Sequence, residues 1–414
     1  MKRRVVVTGL GAVTPIGHGS RGLYDGLRRE RSAIDGITRF DPAPFSSKIA
    51  GEVRDFDPSA YLEPKRLRRL DRYSQFAVVC ARMALEDARL GLAEENRDTI
   101  GCFVGSALGG GAFAEEQHQV FLTQGINRVK PTVALSVFCG AASCNVAIDL
   151  DLRGPSSANS DSCSSGTIAI GEAFRTVRDG YADLMLAGGV EVPLTPFIFG
   201  TFAVIRAMST RNDVPARACR PFDRGRDGFV MAEGAALLLL EELGHARRRQ
   251  AHIYGEVLGY GASNDAHHMT APLPSGAQAA RAMRCALQEA GIPPDGIGYI
   301  NAHASSTPLN DATETLAIKH VFGERAYRVP ISGTKAMHGH ALGASGAIEA
   351  AICMLALEHA YLPPTVNLED PDPECDLDYI PGTGREVAVE RVLSNSFGFG
   401  GINASLVFGQ APPQ

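Results

Sequence analysis

Residues 258–262, Leu-Gly-Tyr-Gly-Ala, echo residues 8–12, Thr-Gly-Leu-Gly-Ala, and both stretches follow a strand-like run. Two further echoes keep the same order. Leu85-Glu-Asp-Ala-Arg-Leu90, followed by Ile100-Gly-Cys-Phe-Val, returns as Leu287-Gln-Glu-Ala-Gly-Ile292, followed by Ile297-Gly-Tyr-Ile-Asn; Ser165-Gly-Thr-Ile168 returns as Ser345-Gly-Ala-Ile348. The offset shrinks from 250 to 180 residues along the series, so the first copy carries insertions. Self-similarity in one order marks a duplicated unit, and we divide the chain into halves at 1–250 and 251–414. Helix-like patterns at 74–90 and 168–179 alternate with strand-like runs at 100–105, 183–189 and 235–240, which is an α/β rhythm. The expectation is two similar α/β halves packed against each other.

Bulk properties narrow the function. A chain of 414 residues can bury a large core. Its 45 glycines, alongside 45% hydrophobic and 21% charged residues, suggest tight turns and close packing rather than disorder. A formal charge of −6 exerts no global pull towards nucleic acid or anionic lipid, so neither is expected as a partner. Nine cysteines without a C-x-x-C pair match neither a disulfide framework nor a zinc site and point to a reducing cytoplasm. The N-terminal run reads as a strand and not a signal peptide. The most apolar window, Thr132 to Leu150, is broken by Ser136, Gly140, Ser143, Asn145 and Asp149, which suits a buried helix or a subunit interface better than a membrane span.

Other motifs are weaker. Gly9-Leu-Gly11 begins like a dinucleotide fingerprint, but the third glycine position is Thr14 and Pro15 follows it, so no nucleotide is expected. Residues 64–72 form a compact basic run, either a solvated helix face or a dock for an acidic partner.

Chemistry concentrates in three places. The polar run Ser156–Ser162 ends at Cys163, and a helix-like pattern follows directly. A thiol at a helix N-terminus gains thiolate character from the dipole and can act as a nucleophile, although a buried structural cysteine fits the same pattern. His303 ends a strand-like run within Asn301–Asp311, where α/β folds place functional side chains. The third region contains Lys335, His338 and His340, followed by the glycine-rich stretch Ser394–Ser405. His338-Gly-His340 could form a metal bite, but no third ligand pattern accompanies it, so no metal is expected.

These blocks together resemble the β-ketoacyl-[acyl-carrier-protein] synthases, type II, of the condensing-enzyme family. The likeness runs nearly end to end: residues 5–17, the Cys163 block, 209–235, 301–311, 333–347 and 394–403 agree in order and spacing. It implies a thiolase-like five-layered α-β-α-β-α sandwich of two duplicated halves. It also implies decarboxylative Claisen condensation of an acyl chain with malonyl-acyl carrier protein, in fatty-acid or type II polyketide biosynthesis. Carried over residue by residue, Cys163 is the nucleophile, and His303 and His340 are donors to the malonyl thioester oxygen. Lys335 acts by its charge on the His303 side, Glu349 helps to order the network, and the N–H groups of Cys163 and Phe399 form an oxyanion hole. Ser305 and Thr307 would hydrogen-bond the phosphopantetheine arm, which arrives on the carrier protein, so no resident cofactor is implied; Thr270 is a further substrate-binding residue. Leu108 and Phe202 would border the acyl tunnel, and Lys65, Arg68, Arg69 and Arg206 would dock the acidic carrier.

The chain departs from the family pattern at several places. Ala304 and Ser305 stand in a loop that usually reads His-Gly-Thr-Ser-Thr, and His267 replaces a common tyrosine. Small residues at Thr132, Val133, Ala134 and Gly140 replace bulky pocket and dimer-interface positions, which leads us to expect an enlarged or altered acyl cavity. A homodimer is the family expectation, with a heterodimer involving a related synthase subunit left open. The alternative is a non-catalytic or decarboxylase-type partner subunit resembling a chain-length factor; such relatives lack the nucleophile, and Cys163 speaks against it. A thiolase would need a second catalytic cysteine, and neither Cys353 nor Cys375 has the context for one.

Overall fold

The computed structural model describes residues 2–412, and among these eleven strands join in one hydrogen-bonded sheet. Ten of them carry the architecture: β1 (Val5–Thr14), β2 (Ile100–Gly105), β3 (Ser156–Asn159), β4 (Leu184–Glu191), β5 (Gly234–Glu242), β6 (Gly255–Asn264), β7 (Tyr299–Asn301), β8 (Ile331–Ser332), β9 (Arg391–Gly398) and β10 (Ile402–Gln410). The remaining strand, Gly17–His18, folds back on β1. The spatial order is β1-β5-β4-β2-β3 in the first half and β6-β10-β9-β7-β8 in the second. Successive neighbours pair antiparallel, antiparallel, parallel and parallel in both. The halves meet where Val5–Val7 pairs antiparallel with Gly255–Val257. Strand for strand, the second half repeats the first.

Five helices complete the layers: α1 (Arg72–Asp87), α2 (Ser165–Arg178), α3 (Ala277–Ala290), α4 (Pro308–Phe322) and α5 (Ser345–His359). α2 and α5 touch each other and lie between the two half-sheets, while α1 covers β1 and β5 from outside, and α3 covers β6 and β10. This is the α-β-α-β-α order of a thiolase-like fold. On α5 every side chain from Ser345 to Leu357 is buried. Each buried Ile, Met or Leu there contributes about 1.5–3 kcal/mol. The segment Leu342–His359 is long and apolar enough to cross a membrane, yet 89% of it is buried within the fold, as a central core helix requires.

The echo that revealed the duplication has a steric cause. A Cβ on Gly9 or Gly11 would lie 2.1 or 1.9 Å from the carbonyl oxygens of Ala84 and Cys80 in α1. On Gly259 or Gly261 it would lie 2.3 or 2.2 Å from those of Ala286 and Ala282 in α3. Each glycine pair lets an outer helix rest directly on the first strand of its half.

Candidate active site

The C-terminal ends of the parallel strands converge, the usual place for ligands in α/β sheets. β3 leads to Cys163, β7 to His303, β8 to Lys335 and His340, and β9 to Phe399. Cys163 sits in the single turn Ser162–Ser164 that opens α2, with Ser162 in a left-handed conformation at φ +55°. The turn is held from both sides. Ser165 Oγ donates to the Ser162 carbonyl at 2.7 Å, and Ser164 Oγ donates to the carbonyls of Ile402 (2.7 Å) and Ser396 (3.0 Å) in the second half.

The expectation that the helix terminus makes Cys163 a ready thiolate is corrected by burial. Desolvation pushes the thiol up, and the Ser162 hydroxyl, the Phe399 N–H and the Lys335 charge offset this only in part. The nearest base is His340, whose Nε2 lies 3.1 Å from Sγ and whose Nδ1 lies 2.8 Å from Ser345 Oγ. Burial, with the charge of Lys335, lowers the pKa values of His303 and His340 well below the usual histidine value, so both rings are neutral.

Lys335 is fully buried, and its ammonium donates to the His303 carbonyl and to Glu349 Oε1, each at 2.5 Å, with His303 Nδ1 at 3.4 Å. An ammonium has only protons to give. His303 Nδ1 is therefore an acceptor, and its single proton sits on Nε2. Burial raises the Glu349 carboxyl while the lysine opposes that rise. The two imidazoles stand edge to face, with centroids 5.4 Å apart. His338 Nε2 lies 3.2 Å from Thr334 Oγ1.

Two buried glutamates were not foreseen. Glu314 on α4 accepts the N–H groups of His303 (2.9 Å) and Ala304 (2.8 Å), which fixes a loop whose Ala304 adopts φ +43°. Glu191, at the end of β4, accepts from Ser106, Ala107, Leu108 and Gly343. Burial pushes both carboxyls up to about 7. No sequence motif marks either residue; the one clue is that Glu191 closes a strand with no other polar side chain, Leu184–Val190.

Cys163, His303 and His340 open into a cavity of about 340 Å³ whose wall includes Thr270, Ser305, Thr307, Arg206 and Phe399. Ser305 and Thr307 hydrogen-bond each other at 2.9 Å. Leu108 and Phe202 pack into the same apolar cluster as Cys163, and Phe202 stacks on Phe399 with centroids 6.5 Å apart. Leu108 also borders a larger cleft of about 1490 Å³ that touches none of the three catalytic candidates.

Other expected site residues lie elsewhere. Val133, Ala134 and Gly140 are not among the residues lining these two cavities. They sit in or beside the short surface helix Val133–Ser136, among exposed Leu135, Val137 and Phe138, because residues 126–140 form only short turns that cross the surface. Arg206 is exposed at the cavity rim. Lys65, Arg68 and Arg69 are exposed away from the cavity wall, whereas their neighbours Arg66 and Arg72 are committed to Asp149 and Glu233.

Comparison with known proteins identifies the family. The family described as Beta-ketoacyl synthase, N-terminal domain matches residues 2–246, and Beta-ketoacyl synthase, C-terminal domain matches residues 254–369. The chain is 48% identical to a 3-oxoacyl-[acyl-carrier-protein] synthase 2 of Synechocystis sp. and 46% identical to one of Coxiella burnetii, each over 98% of both chains. Among solved structures, it superimposes with a TM-score of 0.92 on one chain of a complex described as a type II PKS acyl-carrier protein in complex with its ketosynthase bound to the hexaketide. That likeness has 37% identity and covers 99% of this chain and 100% of the other. The ishigamide ketosynthase/chain length factor gives a TM-score of 0.93 at 35% identity, with both chains fully covered.

Proposed function

Because the chain belongs to the beta-ketoacyl synthase family, as a condensing acyltransferase of fatty-acid or polyketide biosynthesis, we propose that Cys163 carries the acyl chain as a thioester. The observation that supports this most strongly is the contact of Sγ with His340 Nε2 at 3.1 Å beside a His303 whose proton is confined to Nε2.

In the first step Sγ attacks the acyl thioester of a carrier protein. His340 Nε2 takes the thiol proton and returns it to the departing pantetheine sulfur. The Ser345 hydroxyl can donate or accept, so it serves His340 as a base in this step and as a donor in the next. In the second step malonyl thioester loses carbon dioxide, and the released electron pair moves onto the thioester oxygen. Nε2–H of His303 and of His340 stabilise that oxygen as charge develops. The enolate carbon then attacks the acyl thioester, whose oxyanion meets the N–H groups of Cys163 and Phe399, and the carbon–sulfur bond to Cys163 breaks. Lys335 and Glu349 hold His303 in the donor tautomer; removing either would leave an unpaired buried charge, at about 3–5 kcal/mol.

Ser305, Thr307 and Thr270 receive the pantetheine arm, so the cofactor belongs to the partner. Leu108 is the gate between Cys163 and the larger cleft. Arg206 meets the acidic carrier at the rim, with Lys65, Arg68 and Arg69 steering its approach. A second copy of the chain covers the edge strand β3 and the exposed apolar residues Phe121, Leu122, Ile126, Leu135 and Phe138. Across that interface Val133, Ala134 and Gly140 can border an acyl chain. The repeat boundary falls at 250/251, between helix Leu243–Arg248 and β6. The cytoplasm suits nine unpaired cysteines.

His303→Ala separates the two steps. Malonyl decarboxylation should fall by roughly 10³-fold, while mass spectrometry still shows acylation of Cys163. Loss of both steps together would count against the proposed division of labour.

A further inference from the structure

Glu191 takes no part in the chemistry just described, yet its buried carboxylate collects four hydrogen bonds. Ala107 N–H (2.7 Å), Leu108 N–H (3.1 Å) and the Ser106 hydroxyl (3.1 Å) come from the loop after β2, and Gly343 N–H (2.9 Å) comes from the turn that opens α5. The two donors' segments reach different parts of the site. Leu108 borders the large cleft and packs in the cluster of Cys163. Gly343 follows Leu342, which lines the catalytic cavity, and precedes by two residues Ser345, the partner of His340. The segments are also in direct contact, since a Cβ on Gly343 would lie 2.4 Å from Ala107 N and 2.8 Å from Glu191 Oε2.

A strand-end carboxylate that merely capped one helix would need one or two of these donors. Here three of the four hold the loop that carries Leu108, and two of those three fix its backbone at residues 107 and 108. We propose that Glu191 is a positioning residue that sets the chain-length selectivity of Cys163 acylation, by fixing Leu108 at the mouth of the large cleft against the His340 turn. The proposal rests on the reading of Leu108 as the gate. Without the carboxylate, Leu108 swings clear and long acyl chains gain access, while short chains, which stop before the gate, are little affected.

The test is the acylation rate of Cys163, followed by intact mass, with acetyl- and dodecanoyl-carrier protein as donors. The proteins compared are wild type, Glu191→Gln, Leu108→Ala and the double variant. Glutamine keeps the size but replaces an acceptor oxygen with a donor that cannot receive an N–H. Leu108→Ala should raise the long-to-short ratio about tenfold, and Glu191→Gln should raise it several-fold, on the scale of one lost buried hydrogen bond. The double variant should match Leu108→Ala alone. If Leu108→Ala changes the ratio and Glu191→Gln does not, or if the two effects multiply, the clamp is refuted and the gate stands. An unchanged ratio in Leu108→Ala overturns both. Should Glu191→Gln fail to fold, Ser106→Ala removes one of the four bonds and must shift the ratio in the same direction, or the clamp is refuted.

Discussion

The two turns that open the central helices are built alike and used differently. Ser162 and Leu342 both take left-handed backbone angles, φ +55° and +39°, each one residue before the position that faces the opposite half. That position is Cys163 in the first half and Gly343 in the second. Each turn meets the end of a strand from the other half. Gly343 meets Glu191 at the end of β4, and Cys163 meets Gly398 at the end of β9, strands that occupy matching places in the two sheet orders. Where the strand ends in a carboxylate, a helix N-terminus is satisfied and becomes a joint. Where it ends in glycine, a Cβ would stand 3.1 Å from Cys163 N, and its absence keeps the space beside that N–H clear for a developing oxyanion. One duplicated element thus yields a structural joint and a reaction centre, and the choice lies in the facing residue.

The largest consequence concerns stability. Gly343→Ala drives a methyl to within 2.4 Å of Ala107 N and 2.7 Å of the Ser106 carbonyl carbon. Backbone cannot yield cheaply, so unfolding free energy measured in denaturant should drop by about 3 kcal/mol. Gly398→Ala meets nothing nearer than 3.1 Å. Its stability should fall by about 1 kcal/mol, with condensation impaired because the methyl crowds the Cys163 N–H. Equal stability losses in the two variants would erase the distinction between joint and reaction centre.

The smallest effect is one of pH. The thiol of Cys163 is raised by burial, so acylation should accelerate as pH rises above neutrality, where more thiolate forms. His303 and His340 are pushed well below the ordinary histidine value, so their neutral form, with one ring proton, persists as pH falls. Malonyl decarboxylation should accordingly stay level down to about pH 6. An acid limb centred near the usual histidine pKa would show that an imidazole titrates freely, against the buried site described above.

Much of this arrangement was legible in the sequence because it rests on local rules. The run 100–105 coincides with β2, and the glycine pairs at Gly9 and Gly11 and at Gly259 and Gly261 mark the first strand of each half. Cys163, His303, Lys335 and His340 could be named because each stands in a distinctive turn at a strand end. Glu191 and Glu314 escaped notice because their role depends on N–H groups distant in sequence or set by a loop's fold, which no periodicity reports. The thiol's raised pKa was missed for a related reason: the helix terminus is visible in sequence, but the depth of burial is not. The surface placement of Val133, Ala134 and Gly140 was not legible, because an apolar window does not tell a core from a surface awaiting a partner.

The most direct measurement is the intact mass of wild type and Cys163→Ala after incubation with acyl-carrier protein. The account predicts a single acyl adduct on wild type and none on the variant, which should still decarboxylate malonyl-carrier protein through its two histidines. An adduct that persists on Cys163→Ala would place the nucleophile elsewhere and contradict the assignment of the two turns.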